Sequence, residues 1–267
     1  MRHEISNQHW AVLEPLLPKQ KPGPGRKRLD NRKVLNGILY VLKTGCAWAD
    51  VPPGYGSPTT CWRRLTEWTA DGTWERLWRT LLSRLDQQGR LAWSHVFLDG
   101  TFVRATRGGT KIGQSIRGKG SKVMAIVDGN GLPLGLYIDQ ARPHEVRLAE
   151  STVATLRVPR PQGRPRTRPD ELIADKAFDS RAFREALQRR GIKVTIPVVE
   201  RRQRKHPKVG RPHRRALTYR GRWKVERAFA WMDNCRRLLI RYDRAVEHYY
   251  AFCLIAFILW CLNRILK

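Results

Sequence analysis

Close to one end the chain reads YYAFCLIAFILWCL, residues Tyr249–Leu262, an apolar run of 14 residues with no charge in it. Such a run belongs either in a bilayer or in a protein interior. A helix needs roughly 18–20 apolar residues to cross a bilayer. The run therefore predicts a helix buried on all sides, with no membrane partner. A helix lacking a polar face must be surrounded by other elements. The 267-residue chain, 41% hydrophobic and with ten Trp, is rich enough to surround it, which excludes a globally disordered chain.

Charge narrows the partner. Lys and Arg number 52 against 23 Asp and Glu, a formal charge of +29, and 38 of the 52 are Arg. That balance argues against a general metabolic enzyme and excludes an acidic regulator. The rigid five-donor fork of Arg suits phosphate better than an ammonium does, so nucleic acid is the expected partner. Five Cys form neither a CxxC pair nor a zinc-type spacing. With no secretory leader in view, they set the expectation of buried thiols in a reducing compartment, the cytoplasm, with the protein on the nucleoid.

Residues 1–90 read as helices. Ser6 can cap a helix that ends near Leu17, before Pro18. Asp30 can cap a second, with Val34, Leu35, Ile38, Leu39 and Leu42 at helical spacing and Gly45 as its stop. A third covers Pro58–Thr69, with Trp62, Leu65 and Trp68 inward and Arg63 and Arg64 outward, and a fourth covers Trp74–Leu85. A basic helix following a loop among short helices suggests a helix-turn-helix-like DNA reader. A plain bundle with solvent-facing arginines is the alternative.

From residue 91 to 267 the texture is α/β. Val96–Asp99, Lys122–Val127, Leu134–Ile138, Leu172–Asp175 and Val194–Ile196 read as strands, the first three as an antiparallel meander. Helices are expected over His144–Leu156, Ser180–Arg190 and, as one long element, Tyr219–Leu239, giving a mixed sheet flanked by helices. Arg157–Pro169 and Arg201–Arg215 are Arg/Pro-rich and read as flexible basic loops. The second leads into the helix of interest, so Arg201, Arg202, Arg214 and Arg215 are candidate phosphate contacts.

In so basic a chain the acids at strand ends need a reason. Asp99 closes VFLD and Asp175 closes ELIAD. A strand that delivers one Asp at its carboxyl end is a common way for an α/β sheet to present a metal ligand. Mg²⁺ takes hard oxygens, one or two carboxylates plus water and phosphate. A third carboxylate is needed for two ions, and Glu226 supplies it. Tyr219, Arg222 and Glu226, spaced i, i+3, i+7, would share one helical face, with Tyr219 and Arg222 placed to hold a phosphate. Taken singly, each acid has an ordinary alternative: Asp99 as a turn cap, Asp175 paired with Lys176 or Arg181, Glu226 paired with Arg222.

These residues carry a resemblance. Tyr219, Arg222 and Glu226 fit the Tyr-x2-Arg-x3-Glu signature of DDE transposases from bacterial insertion sequences, and WKVERAFAW with RRL and RYDR resembles insertion sequence family five. FLDGTFV and IADKAFDS resemble its two Asp motifs, and HWAVLEPLLP, NGILYVLKTGCAWADVP and WRRLTEW resemble its N-terminal DNA-binding part. The resemblance covers nearly the whole chain. It implies an RNase H-like catalytic domain over 91–267 behind a helical DNA-binding domain over 1–90. It also implies a metal triad of Asp99, Asp175 and Glu226 with Mg²⁺, for which Mn²⁺ can substitute. The activity implied is binding of double-stranded terminal inverted repeats, then cleavage and transfer into target DNA by at least a dimer. An inactive DNA-binding relic and an RNase H-like nuclease without strand joining are the alternatives. The signature's basic residue seven positions after the Glu is Asp233 here; Arg236 and Arg237 follow one turn later and are expected to meet DNA instead.

Overall fold

Side-chain caps set the first helices. In the computed structural model, which describes residues 3–19, 28–198 and 217–267, the Ser6 hydroxyl accepts from the His9 amide at 3.2 Å and opens α1, Asn7–Leu13. Asp30 accepts from the Lys33 amide at 3.0 Å and opens α2, Asn31–Thr44, which Gly45 ends at φ 71°. Ser57 caps α3, Pro58–Ala70, and Asp71-Gly72 turns the chain into α4, Thr73–Gln87.

The sheet begins with β1, His95–Ala105, followed by β2, Gly113–Ser115, β3, Gly118–Val127, and β4, Pro133–Gln140. After them come α5, Glu145–Ala154, β5, Glu171–Ile173, α6, Arg181–Arg189, and β6, Lys193–Thr195. The last described segment holds α7, Trp223–Met232, α8, Arg236–Leu239, β7, Ile240–Arg241, and α9, Val246–Ile265. β1, β3 and β4 form the expected antiparallel meander, and β5 and β6 continue it in parallel, giving the order β4-β3-β1-β5-β6. With helices flanking it, this mixed sheet is RNase H-like.

One property of β1 matters for the site. Its one edge is paired by β3 from Phe97 to Arg104. Its other edge is paired by β5 only at His95–Phe97 and by β7 only at Arg104–Ala105. The middle of β1, with Asp99 in it, therefore lies at an opening between two short neighbours.

The apolar run sits where its composition demands. α9 is 20 residues long, extending the run at both ends, and by length and composition it could cross a membrane. Instead, Tyr249, Ala251–Ile258, Cys261 and Leu262 are buried in a core cluster that also takes in Ile5, α2, α4 and the sheet. Trp78 meets Phe257 with ring centroids 5.4 Å apart, and Trp48 stacks on Phe252 at 6.1 Å. Apolar packing is continuous from Ile5 to Leu262, so the N-terminal helices, this helix and the sheet share one core.

Four expectations need correction. On α3 the buried stripe is Cys61, Arg64, Leu65 and Trp68, so Trp62, one residue off that stripe, is 42% exposed rather than inward. Arg64 faces in, only 6% exposed. Its Nη1 donates to Asn31 of α2, its Nε lies 3.4 Å from Glu67, and its guanidinium lies 5.3 Å from the Trp68 ring centroid. The helix expected over Tyr219–Leu239 is three pieces: a 3-10 turn at Leu217–Arg222, then α7, then α8. The break follows from Asn234, whose amide donates to the carbonyls of Ala230 and Trp231 at 3.4 and 3.2 Å, competing for the last turn. Lastly, Arg157–Pro169 is held rather than loose. Val158 and Arg166 exchange backbone hydrogen bonds at 2.9 and 2.8 Å, and Arg166 stacks over Trp93 at 4.5 Å.

Candidate active site

Asp99 and Asp175 come together through strand register. Phe97 pairs with Ile173 across parallel strands β1 and β5, and two residues further on stand Asp99, within β1, and Asp175, in extended backbone just past the end of β5. Alternation puts residues i and i+2 on one face, so each Asp shares a face with the apolar residue before it. Phe97 and Ile173 pack with Val225 and Ala228 of α7. The two carboxylates are therefore delivered to the α7 side of the sheet, where Glu226 lies.

Arg222 joins strand to helix. Its Nη1 donates to Asp99 Oδ2 at 2.8 Å and its Nη2 donates to Glu226 Oε1. Asp99 Oδ1 accepts from the Gly100 amide at 2.8 Å, and Asp175 accepts from the Ala177 amide at 2.8 Å, capping its own turn. Burial pushes the Asp99 carboxyl above the ordinary range; the Gly100 amide and Arg222 pull against this, and the charge of Asp175 adds to it.

A fourth carboxylate, which nothing in its sequence neighbourhood singles out, leans into the same place. A Cβ built on Gly100 would lie 3.3 Å from the carboxyl carbon of Glu145, at the start of α5. Burial raises its pKa, Lys122 opposes, and the charges of Asp99 and Asp175 raise it further. In the sequence, Glu145 reads as an acid favoured in any first helical turn; only the fold brings it to Gly100.

The remaining candidates divide by exposure. Arg63 on α3 and Arg236 on α8 are exposed. Arg64 and Arg237 are buried, which removes both from a DNA-facing surface. Arg237 donates to Asp243 at 2.9 Å and lies over Phe252 and Tyr242, because the break after Asn234 turns it inward. Tyr219 lies in the 3-10 turn, not on α7, and packs against Phe97, Val127, Ile173, Val225 and Ala228. At three residues per turn positions i and i+3 eclipse, so Tyr219 stays on the side of Arg222. Arg201, Arg202, Arg214 and Arg215 lie outside the described residues.

Among the described residues no three His, Cys, Asp or Glu side chains approach closely enough to share one metal ion. The donor set nonetheless suits a hard divalent cation. Asp99 and Glu226 offer carboxylate oxygens that already converge on one cationic group, the Arg222 guanidinium, and Asp175 stands at the neighbouring register.

Comparison with known proteins gives the family. Residues 93–262 match the family described as "Transposase DDE domain", and residues 5–78 match "Putative transposase of IS4/5 family". The insertion element IS402 uncharacterized 16.2 kDa protein of Burkholderia cepacia is 44% identical over 117 residues, 42% of this chain and 80% of that protein. A second Burkholderia cepacia protein, "Putative transposase for insertion sequence element IS402", is 33% identical over 145 residues, 54% of this chain and 64% of its own length. The solved Mos1 transposase paired-end complex with left transposon end aligns over 92% of this chain and 82% of its own, at 12% identity and a TM-score of 0.28, a likeness too weak to argue from. The match over residues 93–262 spans well over half of the chain, and the chain belongs to the DDE transposase family.

Proposed function

We propose that this DNA transposase cuts and joins DNA at Asp99, Asp175 and Glu226 with a divalent metal, Mg²⁺ or Mn²⁺. The observation that carries the reading is the register of β1 and β5, which sets Asp99 and Asp175 side by side at the opening in the sheet edge, facing the helix that bears Glu226. The three carboxylates would hold the ion, and the ion would supply charge stabilisation to the phosphoryl oxygens of the strand being cut. Arg222 partly offsets the charge of Asp99 and Glu226 and orients them, so the oxygens are in place before DNA arrives.

The finer substrate is double-stranded terminal repeat DNA, with at least two copies of the chain bringing two ends together. Arg63, exposed on α3 of the helical region, is the residue proposed to read the repeat; Arg236 and the arginines of 201–215 are proposed to hold phosphates. The test is incubation of the full chain with Mg²⁺, an end-labelled duplex from the element's terminus and a target plasmid. Cleavage and joining support the reading. Cleavage alone supports a nuclease, and binding without cleavage supports a DNA-binding relic.

A further inference from the structure

The basic hairpin over Arg157–Pro169 takes no part in the site described above, yet it is built rather than loose. Val158, fully buried, exchanges backbone hydrogen bonds with Arg166 at 2.9 and 2.8 Å. Arg166 anchors it, stacked over Trp93 with its Nη1 3.6 Å from Asp86. The returning arm is tied to the turn between α6 and β6. Arg190 donates to the Thr167 carbonyl at 3.2 Å, and a Cβ built on Gly191 would lie 3.1 Å from Arg168 Nη1. Pro159, Pro161 and Pro165 fix φ along both arms, and Gly163, at φ 80° with open space about it, turns the tip.

This anchoring leaves Arg157, Arg160, Arg164 and Arg168 exposed, and none of the four forms an ion pair among the described residues. Counted outward from the Val158–Arg166 bridge, Arg160 and Arg164 fall opposite each other on the two arms. On a loose loop four such charges would spread apart and stay solvated. Held on one short hairpin they repel one another with no internal counter-charge, and an external polyanion offsets that repulsion. The hairpin carries no aromatic ring on which an unpaired base could stack, which favours a duplex backbone over a single strand. Its place in the fold separates it from the carboxylates. Asp170, directly after it, leads into the amino end of β5, its amide donating to the Trp93 carbonyl and its carbonyl accepting from the Lys193 amide. Asp175 lies past the other end of β5, about 16 Å away at the rise of a strand.

We propose that the Arg157–Pro169 hairpin is a second DNA surface, which holds the phosphates of a duplex segment away from the strand being cut and does not read its sequence. The experiment uses the full chain without divalent metal and a fluorescent duplex of about 60 base pairs, with affinity followed by anisotropy over a range of salt concentrations. Each phosphate neutralised adds about 0.9 to the slope of log affinity against log salt. Arg160→Ala with Arg164→Ala, at the exposed tip, should make that slope shallower by about two. Arg160→Lys with Arg164→Lys, which keeps both charges, should restore it. Arg76→Ala with Arg181→Ala removes the same charge from arginines already paired with Asp71 and Glu185 and should leave the slope in place. An unchanged slope in the tip alanine variant, an equal change in the Arg76 and Arg181 variant, or no restoration by lysine would overturn the surface. With Mg²⁺ and saturating terminal duplex, the tip alanine variant should cut within about twofold of wild type, as expected when only binding is removed; a deeper loss would move these arginines to the cut. A wild type that shows this salt dependence but does not cut would sink the active-site reading and leave the hairpin surface standing.

Discussion

Arg222 donates one guanidinium nitrogen to Asp99 at 2.8 Å and the other to Glu226, tying the middle of β1 to α7 across 123 residues of sequence. The contact places one positive charge between two carboxylates and offsets half of their charge. Removing it leaves Asp99, among the described residues, with only the Gly100 amide as a donor.

Arg222→Ala should therefore destabilise the metal-free protein by about 1.5–3 kcal/mol, most of it through the recessed Asp99 arm. The Glu226 arm, whose side chain is 54% exposed, adds little. Thermal melts in chelator should show a fall of a few degrees, and saturating Mg²⁺ should recover part of it by neutralising the same carboxylates. An unchanged melting temperature in chelator would mean the pair contributes nothing to folding.

The two neighbouring arginines of α3 should separate cleanly. Arg64 is a buried staple to Asn31 and Trp68, so Arg64→Ala should cost about 2 kcal/mol in stability through a lost charged hydrogen bond and a lost cation–π contact. Arg63 is exposed, so Arg63→Ala should leave the melting temperature in place and weaken terminal-repeat binding by about 1–3 kcal/mol, more than random-sequence binding. Equal losses on both DNAs would make Arg63 a phosphate contact.

Arg241 is fully buried and spends every donor on neutral acceptors. It donates to the carbonyls of Asp243, Lys111, Thr110 and Arg244 and to the Ser121 hydroxyl. This pins β7 and the segment after β1 to β3. Lysine keeps the charge but has three donors on one atom and cannot reach five acceptors. Arg241→Lys should destabilise by about 3 kcal/mol or more, since carbonyls and a charge are left unpaired in the interior. A chemical-denaturation midpoint equal to wild type would contradict this role.

Much of the fold was legible because its determinants are local. Ser6, Asp30 and Gly45 mark helix ends by their own hydrogen bonds or backbone angle, and the meander strands alternate around Gly-rich turns. Asp175 was legible just past a strand end, whereas Asp99, read as the end of its strand, lies in the middle of β1 because pairing with β3 carries the strand on to Ala105. What stayed hidden depends on contacts distant in sequence. Nothing near Arg64 or Arg237 announces that Asn31 or Asp243 awaits it, so both read as solvent-facing charges. Glu145 is brought to Gly100 only by packing of α5 on the sheet. β7 is two residues long and exists only because β1 offers it an edge.

Asp179 provides a control close to the site. It accepts from Arg184 Nε and Nη2 at 2.9 and 2.8 Å, an ion pair within the α6 region, and is proposed to take no part in metal binding. Asp179→Asn should keep Mg²⁺-dependent cleavage within about tenfold of wild type, less than the several kcal/mol that loss of a metal ligand removes. A loss as deep as that of Asp175→Asn would place Asp179 in the metal site.

Asp99, Asp175 and Glu226 are proposed to hold the metal that cuts DNA. The most direct measurement is the Mg²⁺-dependent cleavage rate of labelled terminal-repeat duplex by wild type, Asp99→Asn, Asp175→Asn and Glu226→Gln, with affinity for the same duplex measured in parallel. Each amide should lower the rate about a thousandfold or more, because metal-supplied charge stabilisation is worth several kcal/mol in the transition state. Affinity should hold or rise, since removing a negative charge cannot weaken attraction to phosphate. Cleavage by any of the three variants at a rate near wild type would contradict the assignment.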